Sequence, residues 1–297
     1  MKIDTFASES SMASPRLADA NHGNSIGAIL ISLGKLKPES VPQVMALQQR
    51  EGCRFGDAAK RLRLIDDEDL RQALRKQYDL PTLAPSSEVS RELVSVYAPD
   101  HSCTEELRAL RTQLLVRWYR PSKARRVLAL LSPGAGEGRS YVAANLAVLF
   151  SQLGERTLLI DADFRKPRQH LIFDMEDRIG LSSVLAGRAD HSAATAVPGF
   201  PNLMLLTAGA PPPNPLEQLS RPTFSALLNR YATAFDVILI DTAPGLQYTD
   251  AQAVGYQAGN ALVITRRSHT RVADTARLVK GLGDSGVRVV GSVINDC

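Results

Sequence analysis

Cysteine is scarce in this chain. Cys53, Cys103 and Cys297 are an odd number of thiols without metal-type spacing, which argues against a disulfide framework and fits free thiols in a reducing cytoplasm. No stretch reaches the roughly 18 uninterrupted apolar residues of a membrane-spanning helix. The opening MKIDTFASESSMASPRLADANHGN has no apolar core of signal-peptide length either. A cytoplasmic protein is expected, attached to a membrane only through a partner. A large excess of charge is also lacking: the net charge is +4, spread along the chain apart from small groups such as Lys123, Arg125 and Arg126. Nothing therefore demands a nucleic-acid partner, because a solvated surface accounts for such charges.

What is present suits an ordinary globular protein, 44% apolar and 22% charged, with ample material for a core. At 297 residues the chain exceeds the usual ~100–200 of one domain, so two unequal domains are expected. Residues 1–23 are small and polar and read as a disordered tail. Residues 24–82 carry a weak repeat, in which Gly27/Gly56, Leu33/Leu62, Leu36/Ile65, Glu39/Glu68 and Gln48/Gln77 each lie 29 positions apart. Each half predicts a short helix, a turn and an amphipathic helix with an acidic or proline-containing first turn. Together they predict a small all-helical domain that packs or docks. Residues 83–102, with their serines and prolines, read as a linker.

From residue 103 to residue 297 the texture changes. Short apolar runs, VLALLS (127–132), TLLID (157–161), LMLLT (203–207), DVILID (236–241), ALVIT (261–265) and VRVVGSVI (287–294), alternate with helical patterns. Such runs predict parallel strands buried on both faces by crossover helices. The fold class is α/β, a doubly wound parallel sheet, whose ligand sites lie beyond the carboxyl ends of the strands.

One strand-to-helix bend carries chemistry. Gly134-Ala135-Gly136-Glu137-Gly138-Arg139-Ser140 follows the first run and opens a helix at Tyr141. Three glycines let several N–H groups face one point, toward which the helix directs its positive end, so an anion belongs there. A strict phosphate loop would have glycine at Pro133 and lysine at Arg139, and read alone the bend is also a plain tight turn. Asp161 and Asp163 after one run, and Asp241 after another, bring carboxylates to the same side. A lone aspartate at a strand end is commonly a turn former. The set together points to a nucleotide with Mg2+, which favours oxygen ligands.

These residues resemble a family. Residues 103–297 are similar to the bacterial-type tyrosine kinases of polysaccharide chain-length control, most of all to the chain-length determinant kinases of exopolysaccharide operons. The likeness rests on "GEGRSYVAANLA", "LLIDADFRKPRQHLIF", "ILIDTAP", "GLSSVLAGRAD" and "LTAGAPPPNPLEQLS", in that order. It implies a P-loop ATPase of the MinD/ParA-like type that uses ATP and Mg2+. In that scheme Gly134 to Tyr141 hold the nucleotide, Arg139 contacts the β- and γ-phosphates, and Ser140, Asp161 and Asp241 hold the metal. Asp161 and Asp163 activate a tyrosine hydroxyl, while Asn295 either meets adenine or caps its strand. Arginine at position 139 keeps the positive charge and offers two parallel N–H groups where lysine offers a point charge. Glu105, Arg108 and Arg111 resemble the family's oligomerisation motif, though a solvated ion-pair row has the same spacing.

The resemblance further implies a membrane co-polymerase as partner, attachment at the inner membrane through it, and a homo-oligomer. Family members commonly end in tyrosine clusters, whereas this chain stops at Val293-Ile-Asn-Asp-Cys297 and its seven tyrosines are scattered. Autokinase activity is thereby placed in question, and a non-kinase ATPase switch stays open as the alternative. Residues 24–82 resemble the N-terminal domain of type II secretion and pilus ATPases, whose paired Arg-Leu-Gly-type motifs bind cyclic di-GMP. Only the second half carries the arginine, as Arg54-Phe55-Gly56 against Ser25-Ile26-Gly27.

Overall fold

The computed structural model describes residues 25–77, 89–119 and 127–296. The expected tail, residues 1–23, lies outside the described residues, as do positions 83–88 of the expected linker. Two compact units result, one within Met1–Thr82 and one within Leu83–Cys297.

Among its described residues the first unit holds four α-helices, α1 (Ile26–Ser32), α2 (Val41–Glu51), α3 (Phe55–Arg61) and α4 (Asp67–Gln77). The repeat is visible in its packing, because the short helix of each half lies on the long helix of the other, α1 on α4 and α3 on α2. The paired glycines mark close approaches. A Cβ on Gly27 would stand 3.1 Å from the Phe55 ring, and one on Gly56 would stand 2.5 Å from Leu70 Cδ1. Leu36 and Ile65, equivalent in the repeat, share one core with Leu30, Val44 and Ala58.

The second unit runs α5 (Val94–Tyr97), α6 (Ser102–Arg117), β1 (Val127–Leu131), α7 (Arg139–Ser151), β2 (Thr157–Asp161), α8 (Gln169–Ile172), α9 (Leu181–Leu185), β3 (Thr195–Ala196), β4 (Leu203–Leu206), α10 (Pro215–Ser220), α11 (Pro222–Ala234), β5 (Val237–Asp241), α12 (Asp250–Ala258), β6 (Asn260–Arg266), α13 (Val272–Asp284) and β7 (Arg288–Asn295). The strand order is β3-β4-β2-β5-β1-β6-β7. Every neighbouring pair is parallel except β3 with β4. The six expected strands form with bounds moved by no more than one residue.

Alternate residues of each strand feed opposite cores. Leu128, Leu130, Leu159 and Leu239 pack with α6 and α7 on one face. Ala129, Leu131, Ile160 and Ile240 pack with α11, α12 and α13 on the other. Burying both faces is what makes these strands read as unbroken apolar runs. α7 is enclosed along almost its whole length, so it shows little amphipathic pattern.

Residues 89–102 correct the expected linker. Leu93 and Val96 are buried in the core beside α7. Ser95 donates to Asn145 Oδ1 through both its N–H (3.1 Å) and its hydroxyl (2.9 Å). The serine that reads as linker composition is therefore a partner for a polar group deep in α7.

Candidate active site

β2, β5 and β1 are neighbours, and their register sets Asp161 beside Asp241 and Asp241 beside Leu130. The bend after β1 thus opens next to two carboxylates. Gly136 (φ +73°) and Gly138 (φ +90°) shape that bend, in a region that costs other residues about 1–2 kcal/mol. Behind it, buried Glu137 accepts from the Gly134 N–H (3.0 Å) and the Thr270 hydroxyl (2.5 Å). Asn295, the last residue of β7, donates from Nδ2 to the Glu137 carbonyl (3.2 Å). A Cβ on Gly138 would stand 2.0 Å from the same Nδ2. Asn295 and Glu137 therefore brace the loop from behind, a role that the sequence reading had not assigned to either.

The loop and the first turn of α7 face a cavity of about 280 Å³. Ala135 to Ser140 line one side; Asp163, Arg165, Lys166, Arg168 and Tyr248 line the other. Four cations around a helix N-terminus make an anion site.

The carboxylates differ in their surroundings. Asp161 is fully buried and accepts three backbone N–H bonds, from Asp163 (3.1 Å), Arg168 (3.0 Å) and Gln169 (2.9 Å). Burial, then the charge of Asp241, pushes its pKa well above the ordinary carboxylate value despite those bonds. Asp163 accepts from the Lys166 (2.9 Å) and Arg165 (3.1 Å) N–H groups, and burial raises its pKa as well. Asp241 accepts from Gln169 Nε2 at Oδ2 (2.8 Å), while its buried Oδ1 accepts no hydrogen bond. Only Asp163 of the three lines the cavity.

Arg139 departs from its expected place. Its guanidinium turns inward, with Nε donating to the Thr242 carbonyl (2.5 Å) and Nη1 to Ser132 Oγ and to the Gly134 carbonyl (3.3 Å). Nη2 reaches Asp163 Oδ2 at 3.4 Å, and Nε lies 3.6 Å from Asp241 Oδ1. The cause is electrostatic: buried carboxylates need a nearby cation, and among the described residues Arg139 is the one ion-paired with either of these two. Tyr141 is a second correction. Being one residue past Ser140 carries its side chain about 100° round the helix, and its hydroxyl sits 3.2 Å from Cys103 Sγ, away from the cavity lining.

The Glu105, Arg108 and Arg111 row is split. Arg108 pairs with Glu105 on its own helix and donates to the Pro99 carbonyl (2.9 Å). Arg111 turns inward to the Leu149 carbonyl at the end of α7 (3.1 Å), and burial followed by Arg108 lowers its pKa.

Several residues were missed by the sequence reading. Arg165 forks onto Asp250 (2.8 and 3.3 Å) and stacks on Tyr248, 4.6 Å from the ring centre. Gln169, fully buried, links Asp241 to the Ser140 carbonyl (3.1 Å). Both lie in the "LLIDADFRKPRQHLIF" run, where Arg165 carries a charge that could have marked it and Gln169, a neutral side chain, carries none. The stretches "GLSSVLAGRAD" and "LTAGAPPPNPLEQLS" meet each other, with the Leu181 and Ser182 N–H groups bonding the Thr207 and Ala208 carbonyls (2.8 and 2.9 Å).

Among the described residues no three His, Cys, Asp or Glu side chains form a ready-made metal cage. The donor set still fits Mg2+, which typically takes one or two carboxylates plus phosphate oxygens and water. The bare, buried Asp241 Oδ1 is an acceptor that such an ion or its water would satisfy.

No protein-family model matches the chain. The tyrosine-protein kinase YwqD of Bacillus subtilis is 32% identical over 209 residues, 70% of this chain and 87% of the relative. The kinase domain of the Escherichia coli tyrosine kinase ETK has a TM-score of 0.65 at 29% identity, covering 68% of this chain and 79% of that one. The septum site-determining protein MinD of Pyrococcus horikoshii, complexed with Mg-ADP, has a TM-score of 0.51 at 26% identity, covering 57% of this chain and 70% of that one. With the phosphate loop, the paired carboxylates and a relative matched over most of its length, the chain belongs to the bacterial tyrosine-protein kinases.

Proposed function

We propose that this protein transfers the γ-phosphoryl group of ATP to tyrosine hydroxyls and acts in exopolysaccharide chain-length control beside a membrane co-polymerase. The observation that carries the reading is Asp163, a buried carboxylate with a raised pKa that lines the cavity opposite the helix N-terminus. That is the placement and tuning of a general base. ATP phosphates would lie against the N–H groups from Gly134 to Ser140, with Arg165, Lys166 and Arg168 offsetting their charge. Asp163 takes the tyrosine proton as the phenolic oxygen bonds to the γ-phosphorus and the bond to the ADP oxygen breaks. Ser140, Asp161 and Asp241 are the residues that would hold Mg2+, which when bound offsets charge on the transferred group. Arg139 reaches the phosphates by releasing its inward contacts.

Incubation with ATP and Mg2+, alone and with membranes containing the co-polymerase, followed by phosphotyrosine mass spectrometry, tests this. Phosphotyrosine is expected with the parent and lost in Asp163→Asn. None from the parent under either condition sinks the proposal. Exposed Glu105 is the part of its row that offers a charge to a second subunit. Arg54, exposed just before α3, is where cyclic di-GMP would be read, and calorimetry with the dinucleotide tests that part separately.

A further inference from the structure

We infer that Gln169 is a positioning residue for the divalent cation of the nucleotide complex, an inference that rests on the reading just given. One residue touches both carboxylates assigned to that cation and the backbone of Ser140, the third residue assigned to it. Its backbone N–H donates to Asp161 Oδ2 (2.9 Å), and its side-chain Nε2 donates to Asp241 Oδ2 (2.8 Å) and to the carbonyl of Ser140 (3.1 Å). The chain is placed for this by Asp161, whose carboxylate holds the start of α8 through the Arg168 and Gln169 N–H groups.

The arrangement leaves two buried acceptors bare on residues that are bonded to each other. Gln169 Oε1 and Asp241 Oδ1 each have no hydrogen-bond partner, and both residues are completely buried. A buried acceptor left unpaired costs about 1–3 kcal/mol, so a pair of them marks a place built for something that donates. A hydrated cation does so through its waters. The amide suits the task because it is neutral: it fixes one oxygen of Asp241 without neutralising the carboxylate, as lysine or arginine would, and without adding a competing charge, as glutamate would. Arg139 Nε, 3.6 Å from Asp241 Oδ1, lies beyond hydrogen-bond distance and does not satisfy that oxygen.

The test uses the full chain and ADP, titrated by fluorescence across Mg2+ concentrations and again in EDTA. Gln169→Met keeps length and volume but removes both amide functions; Gln169→Asn keeps the amide but falls short of Asp241. Loss of a group behind a metal ligand typically costs 10–100-fold in metal affinity. Each variant is expected to need at least about tenfold more Mg2+ for half-maximal tightening of ADP. Affinity in EDTA should match the parent, while the ligand-free melting temperature falls in Gln169→Met, which leaves Asp241 Oδ2 and the Ser140 carbonyl unpaired. A parent-like Mg2+ requirement in both variants overturns the inference, and so does an equal loss with and without Mg2+, which would make Gln169 merely structural. A parent that binds ADP with no Mg2+ dependence overturns this inference alone; a parent that binds no nucleotide overturns the site reading itself.

Discussion

Replacing Arg139 by methionine should destabilise the ligand-free protein in a pH-dependent way. The guanidinium is 7% exposed and is ion-paired with Asp163, 4% exposed, and Asp241, 0% exposed. Methionine fills much of the volume but leaves those carboxylates without their cation. Removing one partner of a buried pair costs about 3–5 kcal/mol, because the remaining charge is uncompensated. Asp163 escapes part of that cost by taking up a proton. Burial already raises Asp161 and Asp163 above their unfolded values. For a carboxyl with a raised folded-state pKa, the neutral form favours the fold at low pH, and this advantage is lost as pH rises through the folded value. Removing Arg139 raises Asp163 further and so extends the loss upward in pH. The expected deficit is about 3 kcal/mol near pH 8, shrinking toward pH 5.5 by up to about 1.4 kcal/mol per unit as Asp163 protonates. Urea unfolding of the parent, Arg139→Met and Arg139→Met with Asp163→Asn measures it, and the second substitution should restore about half of the deficit or more. A deficit below about 1 kcal/mol, or one indifferent to both pH and Asp163→Asn, would refute the electrostatic account of why Arg139 turns inward.

Three further outcomes are expected. Gly138→Ala should weaken ADP binding at least about tenfold and destabilise the fold by about 1–2 kcal/mol, since φ is +90° and the new methyl meets Asn295 Nδ2. Adding Asn295→Ala should remove the collision but leave the backbone strain, so calorimetry should show partial recovery only. Tyr231 donates its hydroxyl to the His191 carbonyl (2.8 Å), and burial, then Asp190, pushes its pKa to about 12. The neutral phenol therefore favours the fold below the unfolded value near 10, and that advantage is lost as pH climbs to about 12. Tyr231→Phe should lose about 1 kcal/mol at neutral pH and show a flatter alkaline unfolding curve; parallel curves would contradict the assignment. Arg54→Ala should leave ATP titrations unchanged while Arg139→Ala weakens binding at least about tenfold, and equal losses would place the nucleotide site wrongly.

Legibility from sequence followed the range of the forces involved. β1, β2 and β5 were readable because burial on both faces forces a short apolar run, a purely local pattern. β3 was not, since it is two exposed residues held by antiparallel pairing to Leu205 and Met204. The glycines at 136 and 138 were readable from the need for a sharp bend, and their positive φ values bear this out. Residues 89–102 misled because serine and proline are frequent in linkers, yet Ser95 is a hydrogen-bonding partner for Asn145, 50 positions away.

Side-chain destinations within the site obey a different logic. Arg139 was identifiable as the loop's cation, but its direction depends on Thr242, 103 residues later, and on carboxylates delivered by two other strand ends. Gln169 shows the same limit more sharply. Glutamine early in a short helix carries no local signature; what gives it meaning is that Asp161, Asp241 and Ser140 converge on it from three separate elements. The motif residues name the charges of the site, whereas the neutral groups between them decide which oxygen each charge presents. A substitution that preserves every motif carboxylate but replaces Gln169 should therefore change metal use while leaving the phosphate cup intact, and that separation is what distinguishes positioning from chemistry in this fold.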